Sequence, residues 1–116
     1  MRKIRSQTLG IDQGSAVLFS DFADDGVMWS GTGPREKRVH VTFDGVFLSD
    51  PVVTVSISMW DTDQKTNQRA DISAANITPS GFDIVFKTWG DTRIARIRAN
   101  WTAVGELHDD DVWDVS

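Results

Sequence analysis

Gly81-Phe-Asp-Ile-Val-Phe-Lys-Thr-Trp-Gly-Asp-Thr-Arg-Ile-Ala-Arg-Ile-Arg-Ala-Asn-Trp-Thr-Ala103 decides the fold. Phe82, Ile84 and Phe86 alternate with Asp83, Val85 and Lys87. After the break at Trp89–Thr92, Ile97, Ala99, Trp101 and Ala103 alternate with Arg96, Arg98, Asn100 and Thr102. A period of two marks a strand with one buried face. Gly90 and Asp91 are residue types that hairpin connections favour. The stretch therefore reads as two antiparallel strands joined at a turn. Trp89 is out of phase with Phe82, Ile84 and Phe86, so strand parity takes its ring off the core face where the chain turns. A large aromatic there can serve as a platform for something outside the fold.

Upstream, the same pattern recurs. Residues 1–13 are polar and lead into a first strand near Gly14–Phe19. Ser20–Gly26 reads as a loop, Val27–Trp29 as a short strand or bulge, and Ser30–Pro34 as a turn, because two glycines and a proline deny it regular pairing. Glu36–Phe43 alternates with Val39, Val41 and Phe43 inward. Val46, Phe47 and Leu48 form a hydrophobic plug. Pro51 opens the strand Val52–Trp60, with Val53, Val55, Ile57 and Met59 on one face. Asp61–Gln68 is a polar loop. Arg69–Thr78 is a strand with Ala70, Ile72 and Ala74 in phase, which points Arg69 the other way. About six strands with closely spaced turn signals and no useful amphipathic helix predict an all-β fold, a six-stranded antiparallel β-sandwich.

At 116 residues, with 40% hydrophobic and 25% charged residues, the chain has the size and composition of one globular domain. Its expected parts are a lead-in at 1–9, the sandwich at 10–105 and an acidic tail at 106–116. The chain has no cysteine, so disulfides and thiolate metal sites are excluded. The basic start Met1–Arg5 lacks an apolar segment behind it, which predicts no secretory signal, and no run is long enough for a membrane span. The tail holds 5 of the 17 acidic residues, leaving 12 against 12 Lys and Arg. A neutral body gives no electrostatic basis for binding nucleic acid. The tail itself reads as a solvated end, since it lacks the spacing of an EF-hand loop.

No catalytic constellation assembles. His40 sits in a strand and reads as a surface or pairing residue. His108 lies far off in the tail, and no nucleophile-elbow motif is present. An Asp21–Asp61 pair of the glycosidase kind is open on spacing, but such loop aspartates usually serve turns. A binding site assembles more readily. Arg69 offers a rigid fork of donors for hydroxyls and Trp89 a flat apolar face, the two needs of a sugar ring. The plain alternatives are a sandwich-edge aromatic for Trp89 and a salt bridge from Arg69 to Asp61, Asp63 or Asp71. Asn76-Ile-Thr78 matches an acceptor sequon, taken as chance on a strand.

The ordered set Pro51–Ser58, Asp61, Asn67-Gln68-Arg69, Thr78–Phe82, Thr88-Trp89, Asp91-Thr92 and Asn100-Trp101 resembles the H-type lectin domain family. The resemblance covers about residues 36–104 and extends loosely back to about residue 10. It implies a sandwich that assembles as a homotrimer or a dimer of trimers, without enzymatic activity or cofactor. It also implies a multivalent lectin for N-acetylgalactosamine or galactose glycans, with the sugar at the boundary between protomers. By position, Arg69 is then the sugar's donor and Trp89 its stacking face. Ser30, Gly31 and Thr32 stand where the family has a polar segment that accepts from sugar hydroxyls. Some positions depart from the family pattern. Ser30–Gly33 has no aspartate. Gly90 replaces a larger polar ring after Trp89, and Ala95 stands where the family has a tyrosine. They leave room for an alternative, a trimeric structural or attachment module with a decayed sugar site. A glycan hydrolase is a third, weaker reading. The strand faces bearing Arg96, Arg98, Asn100 and Thr102, with Thr54, Ser56 and Ser58, are expected at or near the subunit contact, with plain solvent exposure as the alternative.

Overall fold

A computed structural model describes residues 1–5 and 7–108. The strands are β1 (Leu9–Ser20), β2 (Arg35–Thr42), β3 (Val52–Thr62), β4 (Asp71–Thr78), β5 (Gly81–Thr88) and β6 (Ile94–Glu106), and a single-turn helix α1 (Val27–Ser30) follows β1. Two antiparallel sheets form, one ordered β1-β6-β3 and the other β2-β5-β4. The opening stretch does not pair with itself. β5 and β6 are the central strands of opposite sheets, so the turn 89–93 is a crossover between layers rather than a hairpin. Period two cannot tell these apart, because the inward faces of both strands meet in one core either way.

That core is made by the residues the alternation picks out. Phe82, Ile84, Phe86, Ile97, Ala99 and Ala103 are fully enclosed. Phe82 lies edge-on to Trp101 at 5.5 Å and stacks on Phe43 at 5.7 Å, and Phe19 meets Phe86 at 5.5 Å. Each such side chain contributes about 1.5–3 kcal/mol by leaving water. Trp101 fits because its pairing partner is Gly14, where a Cβ would come within 2.9 Å of the indole.

Several boundaries differ from the sequence reading, each for a physical reason. β1 begins at Leu9, not near Gly14, because β6 runs on to Glu106 and gives it a partner throughout, Leu9 opposite Glu106. Along β1 the apolar residues Leu9, Ile11 and Val17 face outward, so hydrophobicity alone hides the strand. Val27–Trp29 is helical rather than extended: the Asp21 carboxylate accepts from the Met28 N–H at 3.0 Å, and Gly31 N–H closes the turn on Val27 O at 2.8 Å. Asp61 and Thr62 extend β3. Arg69 precedes β4 instead of starting it. Within the plug, Phe47 is buried while Val46 and Leu48 remain exposed. The acidic tail from Asp109 onward lies outside the described residues. Asn76 sits at a β-bulge with φ of 51° and donates to Asp83 at 2.9 Å, so the sequon's asparagine is already engaged.

Candidate functional site

At one pole of the sandwich the crossover 89–93, the loop 63–70 and the segment 26–34 come together. Thr88 and Thr92 bracket the crossover and are both 1% exposed. Thr88 Oγ donates to the carbonyl of Arg69 at 2.5 Å. Thr92 Oγ donates to the carbonyl of Asn67 at 2.6 Å and accepts from the Arg69 N–H at 3.1 Å. Two buried hydroxyls thus grip the backbone of Asn67–Arg69 from both sides. A threonine side chain off its ideal place would leave its own buried hydroxyl and part-buried carbonyls unpaired, so the geometry is tightly specified.

Asp91, at the outer edge of the turn, accepts from the Asn67 backbone at 3.4 Å and from its side-chain amide at 3.2 Å. The Asn67 N–H, with help from its amide and the nearby charge of Arg69, holds the Asp91 carboxyl below its ordinary pKa. On the outer face of the second sheet, Asp83 is likewise lowered, first by Asn76 and then by His40, whose Nδ1 lies 2.8 Å away. His40 is therefore a pairing residue.

Gly90 is the hub of the pole. Its φ of +70° suits glycine. A Cβ placed there would lie 3.1 Å from Arg69 Nε, so Arg69 passes directly beside the turn that carries Trp89. The Gly90 carbonyl accepts from the Gly33 N–H at 2.9 Å, which ties the segment 30–34 to the same turn. Arg35 completes the junction from below. Only 7% exposed, it donates to Gly33 O at 2.9 Å, Met28 O at 3.2 Å, Val27 O at 3.5 Å and Gly90 O at 3.3 Å. Burial pushes its pKa down from the ordinary value, but the carbonyl cage keeps the charge satisfied.

The sequence-predicted residues thus fall at one place. Trp89 is 43% exposed and off the core face. Arg69 is exposed, and its guanidinium has no hydrogen bond or ion pair to any described residue. Of the three aspartates offered as its partners, Asp61 pairs with Arg96 at 3.3 Å and Asp63 with Arg93 at 3.6 Å, while Asp71, the first residue of β4, makes no ion pair with Arg69. Asp21, offered as a glycosidase acid, caps α1. Among the loop residues, the Ser30 hydroxyl bonds the carbonyls of Asp25 and Gly26, both at 2.9 Å, and the Gly31 N–H closes the helix, while Thr32 is exposed. Ala95 is buried, and its carbonyl accepts from Asp21 and Phe22, which places the exposed ring-bearing Phe22 just outside it.

Beside Trp89 on the β2–β5 side lies an open depression of about 340 Å³, lined by Pro34, Arg35, Glu36, Lys87, Thr88 and Trp89. On the other flank, Arg93 lies over the Trp29 ring at 4.3 Å and donates to Trp29 O at 2.9 Å, while Phe22 meets Trp29 edge-on at 5.0 Å. Among the described residues no cluster of His, Asp or Glu is disposed to hold a metal ion.

The sequence reading gave no role to Arg35, and it used Thr88 and Thr92 only as members of the set that carries the resemblance. Two signals were present: Arg35 shares the inward parity of Val39, Val41 and Phe43, and Thr88 shares that of Phe82, Ile84 and Phe86.

Comparison with known proteins agrees with this architecture. The chain is 62% identical over 108 residues to a Fuscovulum blasticum protein named ATP synthase subunits region ORF 7, covering 93% of this chain and 94% of that protein. It is 36% identical over 81 residues to a discoidin-1 polypeptide of Dictyostelium discoideum, covering 69% of this chain and 32% of that one, so it spans about a third of the discoidin's length. The solved structure of recombinant discoidin II from the same organism superposes with a TM-score of 0.75 at 27% identity, over 89% of this chain and 39% of that chain. Residues 38–104, more than half of the chain, match the family model of the H-type lectin domain. The chain therefore belongs to the H-type lectin domain family.

Proposed function

We propose that this domain is a carbohydrate-binding lectin without enzymatic activity, taking terminal N-acetylgalactosamine or galactose at the pole formed by Arg69, Trp89 and Gly90. The observation that carries the reading is the guanidinium of Arg69, without a hydrogen bond or ion pair among the described residues and held beside the exposed indole of Trp89 by buried threonines. Its five N–H donors suit vicinal hydroxyls, and the flat ring suits the C–H face of a pyranose. Thr32 and the backbone of Ser30–Gly31 supply the facing edge.

The domain acts as a homotrimer, alone or as two trimers, and several weak sites then engage one glycan surface together. Support comes from the outer face of the β1-β6-β3 sheet. Opposite Arg98 it displays Val17, and at the Val104–Glu106 end Leu9, Ile11 and Val52, exposed by between 45% and 70%. Apolar residues on an outer sheet face fit a contact between protomers better than open water. A single 12.9 kDa species in sedimentation at micromolar concentration would overturn this part.

A glycan array tests the sugar reading. Arg69→Ala is expected to abolish binding while the thermal midpoint stays nearly unchanged, since among the described residues its guanidinium makes no hydrogen bond or ion pair and only adds its charge near the exposed Asp91. A variant that binds like the parent removes the site. One observation favours the second reading, a trimeric attachment module with a lost sugar site: the Ser30 hydroxyl is spent on the carbonyls of Asp25 and Gly26, and the segment Ser30–Gly33 contains no acidic residue. A clean trimer silent on every glycan would select that reading.

A further inference from the structure

Trp89 belongs to two surfaces. Its turn abuts Arg69, while its ring also walls the depression on the β2–β5 side. Pro34 also lines it, together with the buried pair Arg35 and Thr88, which are cross-strand neighbours. The next pair along, Glu36 opposite Lys87, stands at the rim on the outward face. Lys87 Nζ lies 3.9 Å from Glu36 Oε1, too long for a strong hydrogen bond, and Glu36 Oε2 takes the Arg38 Nε–H at 3.1 Å. Lys87 and Glu36 remain half exposed. The rim thus keeps ammonium donors and one carboxylate oxygen available, above one aromatic face and one proline face.

Chemistry narrows the occupant. An apolar peptide would find a single indole and a charged rim, too little apolar surface to repay the ordering of its chain. An anion would meet Glu36. A neutral pyranose, with one C–H face and a ring of hydroxyls that both donate and accept, matches a wall, a donor and an acceptor at once. At about 340 Å³ the depression reaches the size at which small-ligand pockets begin.

We infer that the Pro34–Trp89 depression is a second sugar subsite, which takes the penultimate residue of a glycan whose terminal residue lies at Arg69. Lys87 donates to a hydroxyl of that residue, Glu36 accepts from another, and Trp89 packs against it. The protein then selects disaccharide and longer glycans by their second residue as well as their first. This rests on the sugar-binding reading above, and the test separates the two.

Calorimetric titrations of the intact chain compare methyl N-acetyl-α-galactosaminide with disaccharides that carry the same terminal residue in different linkages. At least one disaccharide should bind about three- to tenfold tighter than the monosaccharide, the worth of one or two added hydrogen bonds. In a Glu36→Ala/Lys87→Ala variant that advantage should vanish while monosaccharide affinity is unchanged. Equal affinity for mono- and disaccharides in the parent overturns the subsite, as does an advantage that survives in the double variant. If monosaccharide binding also survives Arg69→Ala, the sugar site itself is misplaced and both readings fall. If the parent binds no sugar at all, both fall as well.

Discussion

The guanidinium of Arg35, at the base of β2, donates to the carbonyl of Gly90, 55 residues away and in the connection between the sheets. One buried cation thereby holds the helix end, the loop before β2 and the turn of Trp89 in fixed register. Arg35→Met leaves those carbonyls without their donor. A loss of about 3 kcal/mol and a fall in Tm on the order of 10 °C are expected by chemical and thermal unfolding. Arg35→Lys should recover only part of this, because an ammonium cannot reproduce the planar fork.

Gly90→Ala asks for φ of +70° from a residue with a Cβ and pushes that Cβ to 3.1 Å from Arg69 Nε. The strain costs about 1 kcal/mol. Arg69 must also swing aside, so sugar affinity should fall by more than the loss in stability accounts for. Affinity equal to the parent, at reduced Tm, would show that Arg69's position beside the turn does not matter for binding.

Acid should act through Asp91 and Asp83. Both carboxyls have lowered folded pKa values, the first mainly from the Asn67 N–H, the second mainly from Asn76. A lowered folded pKa means that the stabilisation is complete above the unfolded carboxyl pKa and is lost as pH falls through the folded one. Sugar binding and stability should therefore be flat from about pH 5 to 8 and decline only below about pH 4. Asn76→Gly keeps the left-handed backbone at the bulge but removes the donor. Carboxyl NMR titration should then show the Asp83 midpoint rise, and no rise would remove Asn76 as the cause.

Self-association should respond to the outer face of the β1-β6-β3 sheet and not to the opposite one. Ile11→Glu places a charge at the most exposed large apolar residue of that face and should release single chains in sedimentation. Ser73→Glu, on the outward face of β4, serves as the control and should leave the assembly unchanged.

The inward set Phe82, Ile84, Phe86, Ile97, Ala99, Trp101 and Ala103 was legible because a half-buried strand writes its burial as alternation, and all seven are buried. Trp89 was legible as a large aromatic out of phase with Phe82, Ile84 and Phe86 at the point where the chain turns. Two kinds of information were not. Pairing partners are invisible to period two, so β5 and β6 read as one hairpin although they lie in different sheets. Helix α1 was hidden because one turn has no periodicity of its own. It depends on the Asp21 carboxylate, seven residues before the Met28 N–H that it accepts from. Arg35 looked like surface charge because composition assigns arginine to water, and parity alone does not settle it, since Lys37 shares that parity and is exposed; the carbonyls of Gly33, Met28 and Gly90 keep Arg35 inside. The residues that would touch a ligand could be named from type and phase. Those that hold them, buried and paired only with backbone, carry no chemical motif.

Leu9 lies opposite Glu106, and the Leu48 N–H bonds the Glu106 carbonyl at 2.7 Å, so the first and last strand ends leave the sandwich side by side. They leave at the far pole from Trp89: β6 alone spans 13 residues, roughly 40 Å of extended chain. A tether, dye or fusion partner joined close before Leu9 or close after Glu106 would leave from the pole opposite the turn that carries Trp89. The module can be mounted on a surface by its ends and still present its working pole outward.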